Sequence, residues 1–296
     1  MSEQTLLVTG GSGHLGRRVL ELLLVTKAGK LVTTTRSPEK LADLAVRGVE
    51  VRQADFDNPA TLPTAFAGVD RLLLISTDSF NYPGQRIEQH KAAIAAAVKA
   101  GVKHLLYTSF VRTEPGNPAA VAPDHYATEQ ALIASPLDYT LLRNNLYSDN
   151  LLMSLPSAIA MGQLFSAGNG GKTAYVTRED CARAAAVALA ATTTGRQTLN
   201  ITGPQALSDA EIAQLASEIS GRPVQFVPLS VADKRAGMIG AGLPPAVADL
   251  LLSFEAATAQ GFVGDVSPAV TDLTGIAPQS VRDFLLAQRA ALSGAA

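Results

Sequence analysis

The stretch "LLVTGGSGHLGRRVLELLL", residues 6–24, decides the fold class of this chain. It runs from a short apolar segment through a cluster of glycines into a segment whose apolar residues recur at helical spacing. Gly10, Gly13 and Gly16 give the spacing GxxGxxG between a predicted strand and a predicted helix. Glycine there permits backbone angles that other residues resist, and it lets a pyrophosphate approach the N-terminus of the helix. The stretch therefore predicts a dinucleotide-binding turn, and a tight strand-to-helix turn without a ligand is the alternative.

The alternation of strand and helix continues through the first half of the chain. Short β-rich runs such as "KLVTTTR", "RLLLIST", "HLLYTSF" and "YTLLRNN" are separated by helix-length connections such as "RIEQHKAAIAAAVKAG". Strands that are joined in this way pair in parallel through right-handed crossovers. About six such strands before Asn145 predict an α/β fold with a doubly wound parallel Rossmann sheet.

The pattern changes after Asn145. A helical piece and the glycine-rich stretch "SAGNGGKTAYVT" come first, and the following helix "REDCARAAAVALA" and strand-like "QTLNITG" are predicted to return to the sheet. Beyond Pro204, Ser208 and Glu211 have the spacing of a capping box that begins another helix. We therefore predict a nucleotide-binding Rossmann domain over residues 1–150, to which 173–204 return. Residues 151–172 and 205–296 are predicted to form a smaller C-terminal α/β substrate or lid domain.

The composition of the chain indicates which binding partners and which cellular compartment to expect. The 296 residues carry 24 basic and 26 acidic side chains without long runs of one sign, which argues against nucleic acid or an anionic membrane surface as a partner. No segment reaches the roughly 18 uninterrupted apolar residues of a membrane span, and the N-terminal residues lack a signal-peptide pattern. Cys181 is the single cysteine and lies among alanines early in a predicted helix, which favours a structural thiol over a nucleophile. We expect a cytoplasmic protein.

The tip of the second predicted strand bears on the choice of cofactor. A carboxylate at this position hydrogen-bonds a ribose 2′-hydroxyl, whereas an arginine attracts a 2′-phosphate. The sequence here is "TTTRSPEK", with Arg36 at the tip and Lys40 a little further on. It predicts NADP(H), and a solvated surface arginine is the alternative. Asp55 and Phe56 follow the third strand and are candidates to line an adenine pocket.

The region after the fifth strand bears on the chemistry. In short-chain dehydrogenases, a Tyr and a Lys at YxxxK and a Ser after the preceding strand protonate the substrate oxygen as the hydride arrives. The similar region here, "HLLYTSF" and "DHYATEQAL", provides Ser109 and Tyr126 but has Gln130 in place of the lysine. Glutamine carries no charge that would lower the pKa of the tyrosine. Alcohol–ketone chemistry by that route is therefore not expected.

Several motifs together resemble the NmrA-like branch of atypical short-chain dehydrogenases, in particular its type 2 NAD(P)H:quinone oxidoreductases and triphenylmethane-dye reductases. They are "VTGGSGHLG", "RQADFDN", "LLLIS", "GQRIEQHKAAIAAAVKAGVKHLLYTS", "DHYATE" and "YTLLRNNLYSDN". The resemblance covers the whole chain. It implies direct hydride transfer from a nicotinamide to an electron-poor aromatic acceptor, without flavin and without the Tyr–Lys pair. A non-catalytic NADP(H) sensor of the NmrA type, and a tailoring reductase of a biosynthetic pathway with the same mechanism, are the alternatives.

The resemblance also implies site residues. Contacts to the cofactor are expected from Gly10, Ser12, Gly13, His14, Leu15, Gly16, Arg36, Asp55, Ser76 and Thr108. The acceptor is expected beyond the carboxyl ends of the fifth and sixth strands. The candidate catalytic residues are Ser109, Asn144 and Tyr147, and the candidate acceptor-pocket residues are Phe110, Met238 and Phe254; packing or capping roles are the alternatives. Glu129 is expected to hold the other side chains of the site in place, and His125 is a candidate proton donor. No metal site is predicted, and a monomer or homodimer is expected.

Overall fold

The structure is a computed structural model that describes residues 4–292. Among these residues, no helix has both the length and the apolar composition needed to cross a bilayer. The chain divides into two compact units. The first comprises the residues up to Phe110, Asp124–Asn144 and Glu179–Asn200, and the second comprises Val111–Pro123, Asn145–Arg178 and the residues from Ile201 onward.

A seven-stranded sheet forms the first unit. With all strands numbered along the chain, its members are β1 Thr5–Val8, β2 Lys30–Thr35, β3 Glu50–Gln53, β4 Arg71–Leu74, β5 His104–Phe110, β6 Asp138–Asn144 and β9 Arg196–Ile201. Their spatial order is β3-β2-β1-β4-β5-β6-β9. The pairs from β3 through β6 are all parallel. The α/β fold class and the parallel Rossmann sheet predicted from the sequence are confirmed.

The central strands are buried along their whole length. Every residue of β4, "RLLL", and of β5, "HLLYTSF", is buried. Strands in the middle of a parallel sheet are covered on both faces, so their sequences need no alternation of polar and apolar residues. A core cluster of this unit includes Leu7, Val32, Phe66, Leu72, Leu105 and Leu141.

Helices connect these strands. They are α1 His14–Thr26, α2 Ala42–Val46, α3 Leu62–Ala65, α4 Gln85–Ala100, α5 Ala122–Ile133 and α7 Arg178–Ala190, with short 3₁₀ turns at Pro38–Leu41 and Pro59–Thr61. The buried residues of α1 are Gly16, Val19, Leu20 and Leu23, which is the i, i+3, i+4, i+7 spacing of a helix with one apolar face. Cys181 lies in α7 and is buried, in agreement with a structural thiol.

The second unit contains two small sheets and the remaining helices. β7 Gln163–Ser166 pairs in parallel with β11 Gln225–Pro228, and β8 Lys172–Thr173 pairs antiparallel with β10 Leu207–Ser208. After a 3₁₀ turn at Ser148–Met153, its helices are α6 Leu155–Met161, α8 Asp209–Ser220, α9 Val231–Gly240, α10 Pro245–Ala259, α11 Ala269–Thr274, α12 Val281–Ala287 and α13 Arg289–Leu292. The capping box predicted at Ser208 and Glu211 is confirmed at the start of α8.

Candidate functional site

The strand order of the sheet locates the candidate site. Successive strands run outward from β1 to β3 on one side and from β4 to β6 on the other, so the order reverses between β1 and β4. Ligands of open parallel sheets bind outside the carboxyl ends of the strands at such a reversal. The glycine turn follows β1 and residues 75–77 follow β4, so the two segments flank this point.

The glycine turn has the geometry of an anion site. Gly10 has a φ of +64°, which is the left-handed region that glycine adopts without strain. A Cβ on Gly16 would lie 2.4 Å from the carbonyl oxygen of Gly10, so only glycine lets α1 pack this closely on the turn. Gly13 is the N-cap of α1, and no side chain accepts a hydrogen bond there. With Ser12 and Gly13 exposed, the first N–H groups of α1 are open to a phosphate, so the residues present fit a dinucleotide.

Gly11 contributes to this turn, although it lies outside the predicted GxxGxxG spacing. A Cβ on Gly11 would lie 2.1 Å from Oγ1 of Thr33, a buried residue of β2. The Thr33 hydroxyl in turn donates to the carbonyl of Val8 at 2.8 Å. The absence of a side chain at Gly11 therefore lets the turn lie against β2. The pair of adjacent glycines in "TGGSG" was the sequence signal for this position.

Arg36 lies exposed directly after β2, as the sequence predicts. Its guanidinium forms no hydrogen bond or ion pair with residues 4–292. Lys40 lies nearby in the 3₁₀ turn and is also exposed. An exposed guanidinium at this strand tip is available for a 2′-phosphate.

Asp55 orders its own turn after β3. Its Oδ1 accepts a hydrogen bond from the Asp57 N–H at 3.0 Å, and its own N–H donates to Oγ1 of Thr61 at 3.0 Å. Phe56 packs against the core of the first unit. The structure thus gives Asp55 a capping role, and its contact with the cofactor stays a prediction.

Two threonine hydroxyls hold the segment that follows β4. Oγ1 of Thr9 accepts the N–H of Ile75 at 2.9 Å and donates to the carbonyl of Leu73 at 3.2 Å. Oγ1 of Thr108 accepts the N–H of Ser76 at 2.9 Å. Thr108 is buried, whereas Ser76 is partly exposed. Thr108 therefore places Ser76, and Ser76 is the member of this predicted pair that is open to a ligand.

Ser109 belongs to a buried polar group at the ends of β5 and β6. Its hydroxyl donates to Oε1 of Glu129 at 2.6 Å. Nε and Nη2 of Arg143 donate to the two oxygens of the same carboxylate at 2.9 and 2.6 Å. Glu129 is only 1% exposed, and the bidentate contact compensates its buried charge. Glu129 orders Ser109, as expected; Arg143 was not singled out from the sequence.

His125 is excluded as a proton donor. It is buried in α5; Nη2 of Arg86 lies 3.2 Å from its Nε2, and its Nδ1 lies 2.8 Å from the hydroxyl of Tyr107. Because a guanidinium can only donate, Nε2 is an acceptor and the ring is neutral. Burial, followed by the charge of Arg86, lowers the pKa of His125 well below its usual value.

The candidate acceptor residues divide between the two units. Ser109, Phe110 and Asn144 lie in the first unit, where β5 and β6 pair Phe110 with Asn144. Phe110 and Asn144 are both buried. In the second unit, the guanidinium of Arg178 lies 5.1 Å from the ring centre of Tyr147.

Met238 and Phe254, the two remaining candidates, also lie in the second unit. Met238 is in α9 and Phe254 is in α10, and both are partly buried. Their roles, like those of the other candidates, stay predictions. Within residues 4–292 no group of three or more His, Cys, Asp or Glu side chains is arranged to hold a metal ion.

Residues 10–192, which include the glycine turn, β2 to β6 and all of α7, match a family model described as NAD(P)H-binding. The chain belongs to the NAD(P)H-binding family. The prediction that the chain binds a nicotinamide dinucleotide is confirmed.

Individual relatives match this chain in sequence or structure over nearly its whole length. Quinone oxidoreductase 2 of Escherichia coli (strain K12) is 38% identical over 269 residues, which are 90% of this chain and 93% of the relative. A crystal structure of an NADPH-dependent quinone oxidoreductase from Escherichia coli in complex with NADPH matches with a TM-score of 0.90 and 36% identity, covering 95% of this chain and 99% of the other. Triphenylmethane reductase of Citrobacter sp. in complex with NADP(H) matches with a TM-score of 0.88 and 32% identity over 96% and 99%. The resemblance to the NmrA-like branch is confirmed.

Proposed function

We propose that this chain is an NADPH-dependent oxidoreductase that transfers a hydride directly to a quinone or a similar conjugated aromatic acceptor, without flavin. The observation that carries the proposal is the 38% identity over 90% of the chain to a protein named quinone oxidoreductase 2. The relatives named above are reductases, and therefore the regulatory NADP(H) sensor is not favoured. A tailoring reductase would share the mechanism and differ only in its acceptor.

The protein's part in the proposed reaction is binding and orientation. NADPH supplies the hydride when it is bound, and the acceptor takes up that hydride and one proton. Because a quinone carbonyl accepts a hydride readily, holding the two rings together supplies most of the catalysis. We propose that Ser109, Asn144 and Tyr147 orient the acceptor. Phe110, Met238 and Phe254 are proposed to contact its ring, and water or a nearby polar group supplies the proton.

The cofactor contacts belong to the same proposal. We propose that the phosphates bind the glycine turn through the N–H groups of Ser12, His14, Leu15 and Gly16, with Gly10 and Gly13 giving the turn its shape. Arg36 binds the 2′-phosphate. Asp55, Ser76 and Thr108 contact the remainder of the cofactor directly or position a neighbouring group that does. The predicted division into a nucleotide-binding domain at 1–150 and 173–204 and a substrate domain at 151–172 and 205–296 is part of this proposal. So are the cytoplasmic location, the monomeric or homodimeric state, and the absence of nucleic-acid and membrane partners.

Arg36→Ala is expected to raise the Kd for NADPH more than about tenfold and to change the Kd for NADH little. The guanidinium pairs with the 2′-phosphate that only NADPH carries, and a charged hydrogen bond of this kind is worth about 1.5–3 kcal/mol. Titration of the purified variant with each cofactor measures the two constants. Arg47→Ala, which removes another exposed arginine, is the control and should change neither. Equal losses for both cofactors would remove the argument for the 2′-phosphate.

Tyr126→Phe is expected to keep more than about half of the kcat for quinone reduction. Tyr126 has no lysine four residues later to assist proton donation, and a quinone needs no strong acid to accept a hydride. Steady-state rates and a thermal melt of the same preparation separate an effect on catalysis from an effect on folding. Near-total loss of kcat in a folded variant would assign proton donation to this tyrosine.

The proposed function is tested by following NADPH oxidation by the purified protein with and without a simple quinone. Absorbance spectra before the assay establish whether flavin copurifies. We expect quinone-dependent oxidation in flavin-free protein. Tight NADPH binding without turnover would overturn the proposal in favour of a cofactor sensor, and turnover only after flavin is added would overturn direct hydride transfer.

A further inference from the structure

Every backbone N–H of residues 75–77, the segment after β4, donates a hydrogen bond to a side chain. The N–H groups of Ile75 and Ser76 are taken by the two threonine hydroxyls described above. The N–H of Thr77 donates to Nε2 of His90 at 3.0 Å, and the carbonyl of Thr77 accepts from Nε of Arg86 at 2.8 Å. Residues 75–77 are called the pinned loop below. Its conformation is thus set by side chains from the residue after β1, from β5 and from α4.

His90 and Arg86, the two α4 residues, can hold Thr77 firmly because their side chains are shielded from water. His90 is fully buried and Arg86 is 4% exposed. Because a backbone N–H donates to Nε2 of His90, the ring is neutral and carries its proton on Nδ1. That Nδ1 lies 3.0 Å from Oγ1 of Thr128, whose hydroxyl donates to the carbonyl of Asp124 at 2.8 Å. The Tyr107 hydroxyl lies 3.4 Å from the same Nδ1, and Oγ1 of Thr77 lies 3.3 Å from Nε2. Both ring nitrogens of His90 therefore have partners, and its acceptor faces the pinned loop.

Arg86 is held by a second set of contacts. Its Nη1 lies 3.1 Å from the carboxylate of Asp124, and its Nη2 lies 3.2 Å from Nε2 of His125. These two contacts and the hydrogen bond to Thr77, three in all, leave the guanidinium little freedom. The carbonyl of Thr77 therefore meets a donor whose position is determined by α5.

The pinned loop and the glycine turn flank the same reversal of strand order with opposite chemistry. Around the glycine turn, the first N–H groups of α1 are open, which suits phosphate. In the pinned loop, all three N–H groups are used internally. The loop therefore has no backbone N–H left for a ligand and presents carbonyl acceptors and the Ser76 hydroxyl, while the Thr77 hydroxyl lies 3.3 Å from Nε2 of His90. Its chemistry suits hydroxyl and amide donors, which a dinucleotide carries on its riboses and on its carboxamide.

We infer that His90 and Arg86 are positioning residues that hold the pinned loop as an acceptor-bearing wall of the dinucleotide crevice, opposite the phosphate-binding turn. Neither residue contacts the cofactor in this arrangement; both act through Thr77. The inference rests on the proposed cofactor binding, and it gives a role to two residues that lie in a motif of the resemblance but were not predicted as site residues.

Two substitutions of His90 separate positioning from stability. In His90→Gln, the side-chain oxygen reaches the place of Nε2 and can still accept the Thr77 N–H. In His90→Asn, the amide nitrogen replaces Nδ1 and keeps the contact with Thr128, but the acceptor for Thr77 is lost. Each variant keeps the contacts of one ring nitrogen and loses those of the other, so both should have lower melting temperatures than the wild type.

The Kd for NADPH is the deciding measurement. We expect His90→Asn to raise it about tenfold or more, and His90→Gln to leave it within about threefold of the wild type. Thr128→Val, which disturbs the far side of the His90 ring, should lower the melting temperature without raising the Kd. Equal effects of the two His90 variants on the Kd, or melting changes without any change in Kd, would overturn the inference.

Amide hydrogen exchange in the wild-type protein keeps the test decisive if the variants do not fold. The amides of residues 75–77 should be protected without cofactor, because all three are bonded to side chains. Rapid exchange at Thr77 would overturn the inference. Failure of the wild type to bind NADPH would instead overturn the proposed function, so the two failures are distinguishable.

Discussion

Lowering the pH from 7 to 5 is expected to reduce the free energy of unfolding by about 2 kcal/mol for each of two buried histidines, His90 and His104, with a further reduction from a third, His125. All three histidines are buried in the folded chain. Burial, followed by the charge of Arg86, lowers the pKa of His90 to about 3. Burial, followed by the charge of Arg71, lowers that of His104 to about 4.

The sign follows from the proton balance of the two states. Below pH 6.5 the unfolded chain protonates its histidines, whereas the folded chain keeps these three neutral until the pH approaches their lowered pKa values. The unfolded state therefore binds more protons in this window, and stability falls as the pH falls. Other groups around the histidines do not remove the effect. Asp124 and Asp138 are the acidic neighbours, but Arg86 and Arg71 also face these sites, and burial is the larger cause at each histidine.

Chemical denaturation at a series of pH values measures the effect. Because most domains are stable by only about 5–15 kcal/mol, we expect marked destabilisation by pH 5. His104→Gln should reduce the slope of stability against pH, since it removes one of the three groups. His14→Gln is the control, because His14 is exposed, and it should leave the slope unchanged. A stability that stays constant from pH 7 to pH 5 would contradict the neutral burial of these rings.

Gly16→Ala is expected to destabilise the protein by about 1–3 kcal/mol or more and to raise the Kd for NADPH more than about tenfold. The added Cβ would lie 2.4 Å from the Gly10 oxygen and 2.9 Å from the Gly10 carbonyl carbon, and backbone atoms cannot rotate away as a side chain can. The turn and α1 must therefore separate. That separation moves the open N–H groups relative to each other, so the phosphate site is lost together with the packing.

Gly237→Ala is the matched control for Gly16→Ala. Gly237 also lies inside a helix, α9, but nothing lies within 4 Å of a Cβ built there. Alanine should stabilise that helix by up to about 1 kcal/mol because glycine is the weaker helix former. Thermal melts and NADPH titrations of both variants compare the two sites. Wild-type stability and affinity in Gly16→Ala would show that the turn does not need this close approach.

The fold was accessible from the sequence because its signals are local. The apolar run "LLV", the glycines of "TGGSGHLG" and the helical spacing after them each arise from residues close together in the chain. The same holds for the capping box of Ser208 and Glu211, whose two hydrogen bonds join residues three apart. Arg36 was accessible for a similar reason, since it directly follows a strand whose end is recognisable.

The side chains that hold the site in place could not be predicted from the sequence in the same way. His90 and Thr77 are 13 residues apart in the chain, and Arg86 lies 39 residues from His125. Each of these contacts depends on how α4 and α5 pack beside β5, which no local pattern specifies. His125 shows the same limit: a histidine on a helix reads as an acid candidate, and only its buried environment shows that it stays neutral.

The sequence by itself thus determined the α/β class, the dinucleotide turn and the arginine at the second strand tip, because local spacing specifies backbone geometry directly. Tertiary structure alone decided which polar side chains support the site. It placed Glu129 between Ser109 and Arg143, and it bonded Thr77 to His90 and Arg86. The physical reason is that a buried polar group must find partners wherever the packed elements bring them, at sequence distances that are unrelated to any repeat.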